Sequence, residues 1–389
     1  MRAEQQLRTF LKILENYPLD RPLNKFLPDF FKKNKQMGST DRRMASRLIY
    51  NYFRLGKALI NKEVEERLFI AEFLCNSGDN PFLKHFRPDL NENIHFSLDE
   101  KLHLVQEQEG LVRSDVFPFS KHLSKDINEA EFLNSFFVQP DLFIRVYPKS
   151  WSLVLKKLQD NTIDFNQIGD YTIALPNGTN LNSLFPEIGF IVKPYEVQDL
   201  SSQHTRSYFK PNRYEHWWDA CAASGGKSLL LFSEQPDIKL VVSDIRESVL
   251  DNLDDRFHAA GLKNYQKKII DLRKNADPEL HHYEFDGIIL DAPCSGSGTW
   301  GRTPEMINQF EEFKIQGFQN LQKTIADNVI KYLKPGKALI YITCSVFREE
   351  NEEVVSYLQS EYKMKLESLE LIKGYNKKAD TMFVARLLR

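Results

Sequence analysis

The sequence predicts an α/β protein with a doubly wound parallel sheet in its second half, preceded by a small α/β module and a helical N-terminal region. Three observations carry this. From Trp217 onward, short apolar runs alternate with helical patterns, the order that builds a parallel sheet. Three of those runs close on an acid, at Asp244, Asp271 and Asp291, the edge at which open α/β sheets bind ligands. Before Phe137, apolar residues recur at helical spacing, as at Leu7, Leu11, Ile13 and Leu14.

Taken in order, residues 1–138 read as a helical domain. Ser39-Thr40-Asp41 offers a cap to a helix over Arg42–Leu55, and further helices are expected at Leu98–Gln108 and Asn128–Phe137, with mostly loop from Cys75 to Asn93. Residues 139–204 form the small module: Gln139-Pro140 is a hinge, followed by a strand at Leu142–Tyr147, a helix at Ser150–Gln159 and a strand at Tyr171–Leu175. Residues 205–389 form the third domain. Its strands are expected at Trp217-Trp218, Lys239–Ser243, Lys268–Ile270, Ile288–Leu290, Ala338–Thr343 and Phe383–Leu387. Its helices are expected at Leu229–Ser233, Glu247–Ala260 (stopped by Gly261) and about Phe310–Leu333.

At 389 residues with 27% charged side chains, the chain has an ordinary globular composition, and no apolar run approaches the ~18 residues that span a bilayer. The start shows no signal-peptide core, so a cytoplasmic location is expected. Four dispersed cysteines, Cys75, Cys221, Cys294 and Cys344, fit neither a disulfide framework nor a zinc site, and no metal is expected. The net charge of −2 conceals an asymmetry. Between Arg21 and Lys57, ten Lys/Arg face only Asp29 and Asp41. That stretch is either an RNA-phosphate surface or a solvated helix face.

The chemistry concentrates at strand ends. Asp291-Ala292-Pro293-Cys294-Ser295-Gly296-Ser297-Gly298 places an acid and a thiol on a glycine loop just beyond an apolar strand. Alone, the motif leaves open whether Cys294 is merely a small buried hydrophobe. Asp219 to Ser228 is a small-residue loop opening a helix, with Asp244 closing the next strand, the arrangement that binds an adenosine-bearing cofactor through its ribose. It lacks both the dinucleotide glycine pattern and the first glycine of a phosphate-binding Walker loop. Thr343-Cys344-Ser345 then supplies a second strand-end thiol. Two such thiols beside an acid point to covalent chemistry. A thiolate adding to carbon 6 of a pyrimidine makes carbon 5 nucleophilic enough to accept a methyl group.

In combination these motifs resemble the Nop/Sun family of RNA cytosine-5 methyltransferases, especially its RsmB-like branch. The loop Asp219–Ser228 is similar to that family's Asp-Xaa-Cys-Ala-Ala-Pro-Gly-Gly-Lys, Asp291–Gly298 to its Asp-Xaa-Pro-Cys-Ser-Gly-Xaa-Gly, and Thr343-Cys344-Ser345 with Glu350-Asn351-Glu352 to its Thr-Cys-Ser and Glu-Asn-Glu. The resemblance spans about Tyr195 to Arg389. It implies a Rossmann-like methyltransferase domain using S-adenosylmethionine, with Cys344 as nucleophile and Cys294 assisting release. Asp291 and Lys227 would stand at the base and cofactor, Asp244 at the ribose and Asp271 near adenine. Cys221, Ala222, Ala223, Ser224, Gly225 and Gly226 would form the cofactor loop. Ser224 stands where the family usually has Pro, and Arg145-Val146-Tyr147 where Arg-Val-Asn is usual. Asp41-Arg42-Arg43 to Arg54-Leu55-Gly56 is similar to a NusB-like RNA-binding domain. The expected partner is RNA, ribosomal ahead of transfer RNA, acted on by a monomer with no membrane contact. A catalytically idle RNA-binding scaffold of the same fold is the alternative, but it would lack the thiols that this chain keeps.

Overall fold

The computed structural model describes residues 2–186 and 193–389. They form two compact units. The first comprises residues 1–123, 128–139 and 299–312, and the second comprises residues 124–127, 140–298 and 313–389.

The first unit is helical, with helices Arg2–Asn16, Leu23–Lys33, Ser39–Arg54, Val64–Cys75, Leu98–Glu109 and Glu129–Ser135 around a core that includes Phe10, Ile13, Leu48, Ile49, Leu68 and Phe73. The third of these starts three residues before the expected position. Gly38 is its N-cap and no side chain caps it, so Ser39, Thr40 and Asp41 lie inside the first turn. The segment expected to be mostly loop instead holds the short helices Pro81–Phe86 and Pro88–Glu92, each opened by a proline whose fixed φ suits a first helical position. Asn80 caps the first of them by accepting from the Phe82 and Leu83 amides. Ser97 with Glu100 forms a reciprocal capping box on the 98–109 helix. The unit is completed by residues from far along the chain. Trp300 and Phe310 pack among Phe117, Phe119 and Phe136, and Glu305 Oε1 accepts from the amide of Leu23, the first residue of the Leu23–Lys33 helix.

The second unit contains two sheets. The smaller is antiparallel, in the order β2-β3-β1-β4, from β1 (Leu142–Val146), β2 (Asn166–Gln167), β3 (Thr172–Leu175) and β4 (Tyr195–Val197). The helix Trp151–Asp160 buries Val154 and Leu158 against Ile144, Val146, Ile173 and Leu175. The larger sheet has seven strands: β5 (His216–Asp219), β6 (Lys239–Asp244), β7 (Tyr265–Ile269), β8 (Phe285–Asp291), β9 (Leu333–Thr343), β10 (Lys365–Ile372) and β11 (Met382–Leu388). Their order is β10-β11-β9-β8-β5-β6-β7.

Strands β7, β6, β5, β8 and β9 run parallel. The expected parallel sheet is extended at one side by β11, which is antiparallel to both β9 and β10. The polar alternation of β10 (Lys365, Glu367, Glu370) hides it as a strand in the sequence; at a sheet edge only one face needs to be apolar, and charge there discourages further pairing. The order in which strands are added reverses between β5 and β8, the switch point at which open α/β sheets bind ligands. Gly287 lies there because a Cβ on it would stand 2.5 Å from the Trp217 ring.

Candidate active site

The carboxyl ends of β5, β6, β8 and β9 converge on one cavity of about 530 Å³. After β5 the chain turns through Ala220 and Ala222, whose amides donate to the Ile289 and Ser243 carbonyls (2.9 and 2.8 Å) and so tie the loop to both neighbouring strands. Ala223 and Gly225 both take positive φ (46° and 80°). A side chain at Gly225 would stand 2.4 Å from the Phe257 ring, so glycine alone fits there. The helix Gly226–Glu234 follows. Its Ser228 hydroxyl donates to the buried Asp219 carboxylate at 2.7 Å. Burial pushes that carboxyl up to about 7, with the charges of Asp291 and Asp244 adding to the effect against the Ser228 bond.

Lys227 spans the switch point, donating from Nζ to Asp291 Oδ2 at 3.0 Å. Burial disfavours its charge, but the Asp291 carboxylate outweighs that and holds the ammonium above its ordinary value. Asp291 ends β8 and lines the cavity with Cys294 and Cys344. The two free thiols, from the ends of adjacent parallel strands, lie 3.2 Å apart, and this contact together with burial raises Cys294 well above the usual thiol range.

A buried hub sets that spacing. Glu350 accepts from the Ser295 amide and hydroxyl, the Ser345 hydroxyl and Gln322 Nε2 at 2.5 to 3.0 Å, so one carboxylate grips the residue after each thiol. Asn351 adds a bond from Nδ2 to the Ser345 carbonyl and accepts from the Thr343 hydroxyl. Gly298 donates to the Cys344 carbonyl at 2.9 Å, and a Cβ on it would collide with the Thr381 carbonyl. In the sequence Glu350 and Asn351 stand out only as part of a motif; their role as the clamp on both loops comes from the fold.

The structure brings Asp244, Asp271, Asp291, Cys221, Ala223, Cys294 and Cys344 onto the wall of the same cavity. Ala222, Ser224, Gly225, Gly226 and Lys227, also expected at the cofactor, do not line it. Asp244 accepts from the Ala223 amide (3.1 Å) and from Arg246 Nε (3.0 Å) and Nη2 (3.2 Å). Partial burial raises it, but these bonds win and leave it below the usual carboxylate range. Asp271 is held down to about 2 by its bonds from Arg273. Neither arginine is among the expected site residues, although both stand two residues after an acid at a strand end, a spacing visible in the sequence. Ser224, in place of the family's usual Pro, is fastened by another side chain. Arg256 Nη1 donates to its hydroxyl and carbonyl at 2.8 Å, while Nη2 reaches Glu196 Oε2 at 2.8 Å.

Residues 207–388 match the family described as 16S rRNA methyltransferase RsmB/F. Over 167 residues the chain is 35% identical to the Ribosomal RNA small subunit methyltransferase B of Shewanella oneidensis, and over 172 residues 36% identical to that of Salmonella arizonae. These matches cover 43% and 44% of this chain and 39% and 40% of those relatives, so the likeness spans well under half their length. Among solved structures, PH0851 superposes with a TM-score of 0.72 at 20% identity over 95% of each chain. NSun6 from Pyrococcus horikoshii with SFG gives 0.59 at 16% identity over 70% of this chain and 96% of that one. Both show the fold. Residues 207–388, which hold the seven-stranded sheet and both strand-end thiols, are thus similar to the RsmB/F family of methyltransferases.

Proposed function

We propose that the protein methylates carbon 5 of a cytosine in RNA, with S-adenosylmethionine as methyl donor. The observation that carries this is the pair of thiols 3.2 Å apart beside the Lys227–Asp291 pair. The cavity's size is that of a small-molecule cofactor site, and its wall offers carboxylates at Asp244 and Asp271 with apolar surface from Ile270, Leu272 and Ile325 between and behind them. These residues fit an adenosine: Asp244 would take the ribose hydroxyls, Asp271 would stand near adenine, and Cys221 and Ala223 of the 221–227 loop would line the rest. When bound, the cofactor supplies an electrophilic methyl group.

The chain's own residues do the remaining work. Cys344, as thiolate, forms a bond to carbon 6 and opens the 5,6 double bond. Asp291, fixed by Lys227, hydrogen-bonds the ring, and the Lys227 ammonium beside it offsets the negative charge that develops. After carbon 5 has gained the methyl group, a water admitted to the site takes the carbon 5 proton, while the Cys294 thiol, 3.2 Å from the Cys344 sulfur, assists that sulfur's departure. That electron pair restores the double bond and expels the Cys344 thiolate. Ribosomal RNA is favoured as substrate because the curated relatives carry small-subunit ribosomal RNA in their names. Residues 1–138, 139–204 and 205–389 are read as helical RNA-binding domain, small α/β module and methyltransferase domain.

The test is a denaturing gel. Cys294→Ala protein, mixed with unmodified small-subunit rRNA transcript and S-adenosylmethionine, should accumulate a covalent protein–RNA adduct, and Cys344→Ala should yield neither adduct nor methylated RNA. An adduct from Cys344→Ala would reverse the two roles. Absence of 5-methylcytosine in RNA treated with the unaltered protein would overturn the activity.

A further inference from the structure

A second cavity of about 540 Å³ lies in the same unit, between the turn joining β2 to β3 and the end of β10. Arg145 of β1 reaches it while only 5% exposed. Its Nε donates to Gln198 Oε1 at 3.1 Å and its guanidinium lies 5.5 Å from the Tyr147 ring centroid, yet Nη2 has no hydrogen-bond partner among the described residues. A guanidinium nitrogen is an obligate donor, and leaving one buried and unspent is costly unless a ligand takes it up.

The surroundings indicate what that ligand is. Arg206, Lys373 and Lys377 add positive charge to the lining, against Asp170 and Glu370. Glu370 is already engaged by the Tyr208 hydroxyl (2.6 Å) and His204 (3.1 Å). Tyr171 and Ile168, on the β2–β3 turn next to the strand that pairs with Arg145, are 38% and 43% exposed. A buried donor, further cations and an exposed ring lining one groove match a phosphodiester with its base, since nucleic-acid strands are held by charge along the backbone and by stacking on aromatic faces.

The groove is also wired to the reacting thiols. Its far wall, Gly374 to Lys377, begins the β10–β11 connection. That connection is pinned by the Asp380 amide to Asp199 Oδ2 (3.1 Å) and by the Thr381 amide to the Gly298 carbonyl (2.9 Å), and the Gly298 amide bonds the Cys344 carbonyl. We propose that this groove holds a nucleotide of the substrate RNA flanking the target cytosine, its phosphate on Arg145, Lys373 and Lys377 and its base on Tyr171. The proposal rests on the RNA reading above.

The test measures binding of unmodified small-subunit rRNA transcript to the full chain across salt concentrations, with S-adenosylmethionine affinity as control. Lys373→Ala/Lys377→Ala should weaken RNA binding about tenfold and flatten the salt slope by roughly 0.7 for each phosphate that is no longer neutralised. Tyr171→Ala should weaken it about fivefold or more with the slope kept. Both should raise KM for RNA with kcat nearly unchanged and leave cofactor affinity intact. Arg145→Gln, scored only if its thermal unfolding matches the parent, should add to the lysine effect. RNA affinity and slope within twofold of the parent in the lysine and tyrosine variants, or equal loss of cofactor affinity, would overturn the groove while sparing the RNA reading. No RNA binding by the unaltered protein would overturn both.

Discussion

Single side chains here act mainly by fixing where a reactive group sits. Glu350 is buried and accepts four bonds, two of them from nitrogens, the Ser295 amide and Gln322 Nε2. Both nitrogens reach Oε2 and both serine hydroxyls reach Oε1, so Glu350→Gln keeps the amide bonds only by turning its NH₂ toward the hydroxyls, which must then accept, and it removes the carboxylate charge that strengthens all four, a loss of ~1–3 kcal/mol. We expect kcat to fall tenfold or more, because the two thiol loops lose their shared anchor, while titration calorimetry shows cofactor affinity kept. Asp219 gives a pH prediction. Its folded-state value of about 7 lies above the ordinary 3.8, so between those pH values the folded protein holds a proton that the unfolded chain has released. The associated stability is fully present below pH ~4 and is lost as pH rises through about 7. Asp219→Asn keeps an acceptor for Ser228 but cannot ionise, so its unfolding free energy should fall less between pH 4 and 8 than the parent's, by up to ~4 kcal/mol. Chemical denaturation at the two pH values measures this, and equal slopes would contradict it.

Among the elements, the loop between β5 and its helix shows how one substitution is answered by another residue. Pro at position 224 would stiffen the chain by fixing φ; Ser224 instead takes a bond from Arg256, which is itself braced by Glu196, and Gln198 Nε2 adds a bond to the Gly226 carbonyl. Arg256→Ala should therefore raise the Kd for S-adenosylmethionine up to about tenfold, the size of one or two hydrogen bonds removed. Adding Ser224→Pro to that variant should recover most of the affinity, because proline restores stiffness without needing the guanidinium. A double variant no better than Arg256→Ala would show that Arg256 acts only on general stability. The same logic explains Gly298, where the Thr381 and Cys344 carbonyls leave no room for a side chain.

Across the molecule, the first unit draws on residues 299–312, more than 150 positions beyond its other segments. Trp300, Ile307 and Phe310 are buried, and Glu305 satisfies the start of the Leu23–Lys33 helix. A fragment of residues 1–139 should accordingly melt without a sharp cooperative transition, and adding the 299–312 peptide in trans should restore one, as followed by circular dichroism. The basic stretch also divides once folded. Arg54 is buried on the Phe136 carbonyl and Gln139, Arg47 pairs with the fully buried Glu72, and Arg21 pairs with Asp29. Lys32, Lys33, Lys35 and Arg43 remain exposed. Replacing those four with Ala should flatten the salt dependence of RNA binding by about 0.7 for every phosphate they neutralise, whereas Arg47→Ala should chiefly destabilise the unit.

Features encoded locally are legible in the sequence. Strand–helix alternation, the acids closing β6 and β8, and the small-residue loop after β5 are contiguous patterns, and each fixes a backbone geometry within a few residues. The two thiol motifs are likewise legible because a strand end followed by proline or a polar turn places a side chain at the sheet edge wherever that strand lies. The tertiary structure decides what depends on residues far apart. It alone puts Cys294 3.2 Å from Cys344, 50 positions away, and sets Glu350 beneath both. It places β11 antiparallel between β9 and β10, an order that no local pattern carries, since pairing is chosen by which apolar faces can be buried together. It recruits residues 299–312 into the helical unit, buries Arg54, and pairs Arg21 and Arg47 with Asp29 and Glu72. Charge in a sequence is a count, whereas its availability to a partner depends on which acids and carbonyls the fold brings against it.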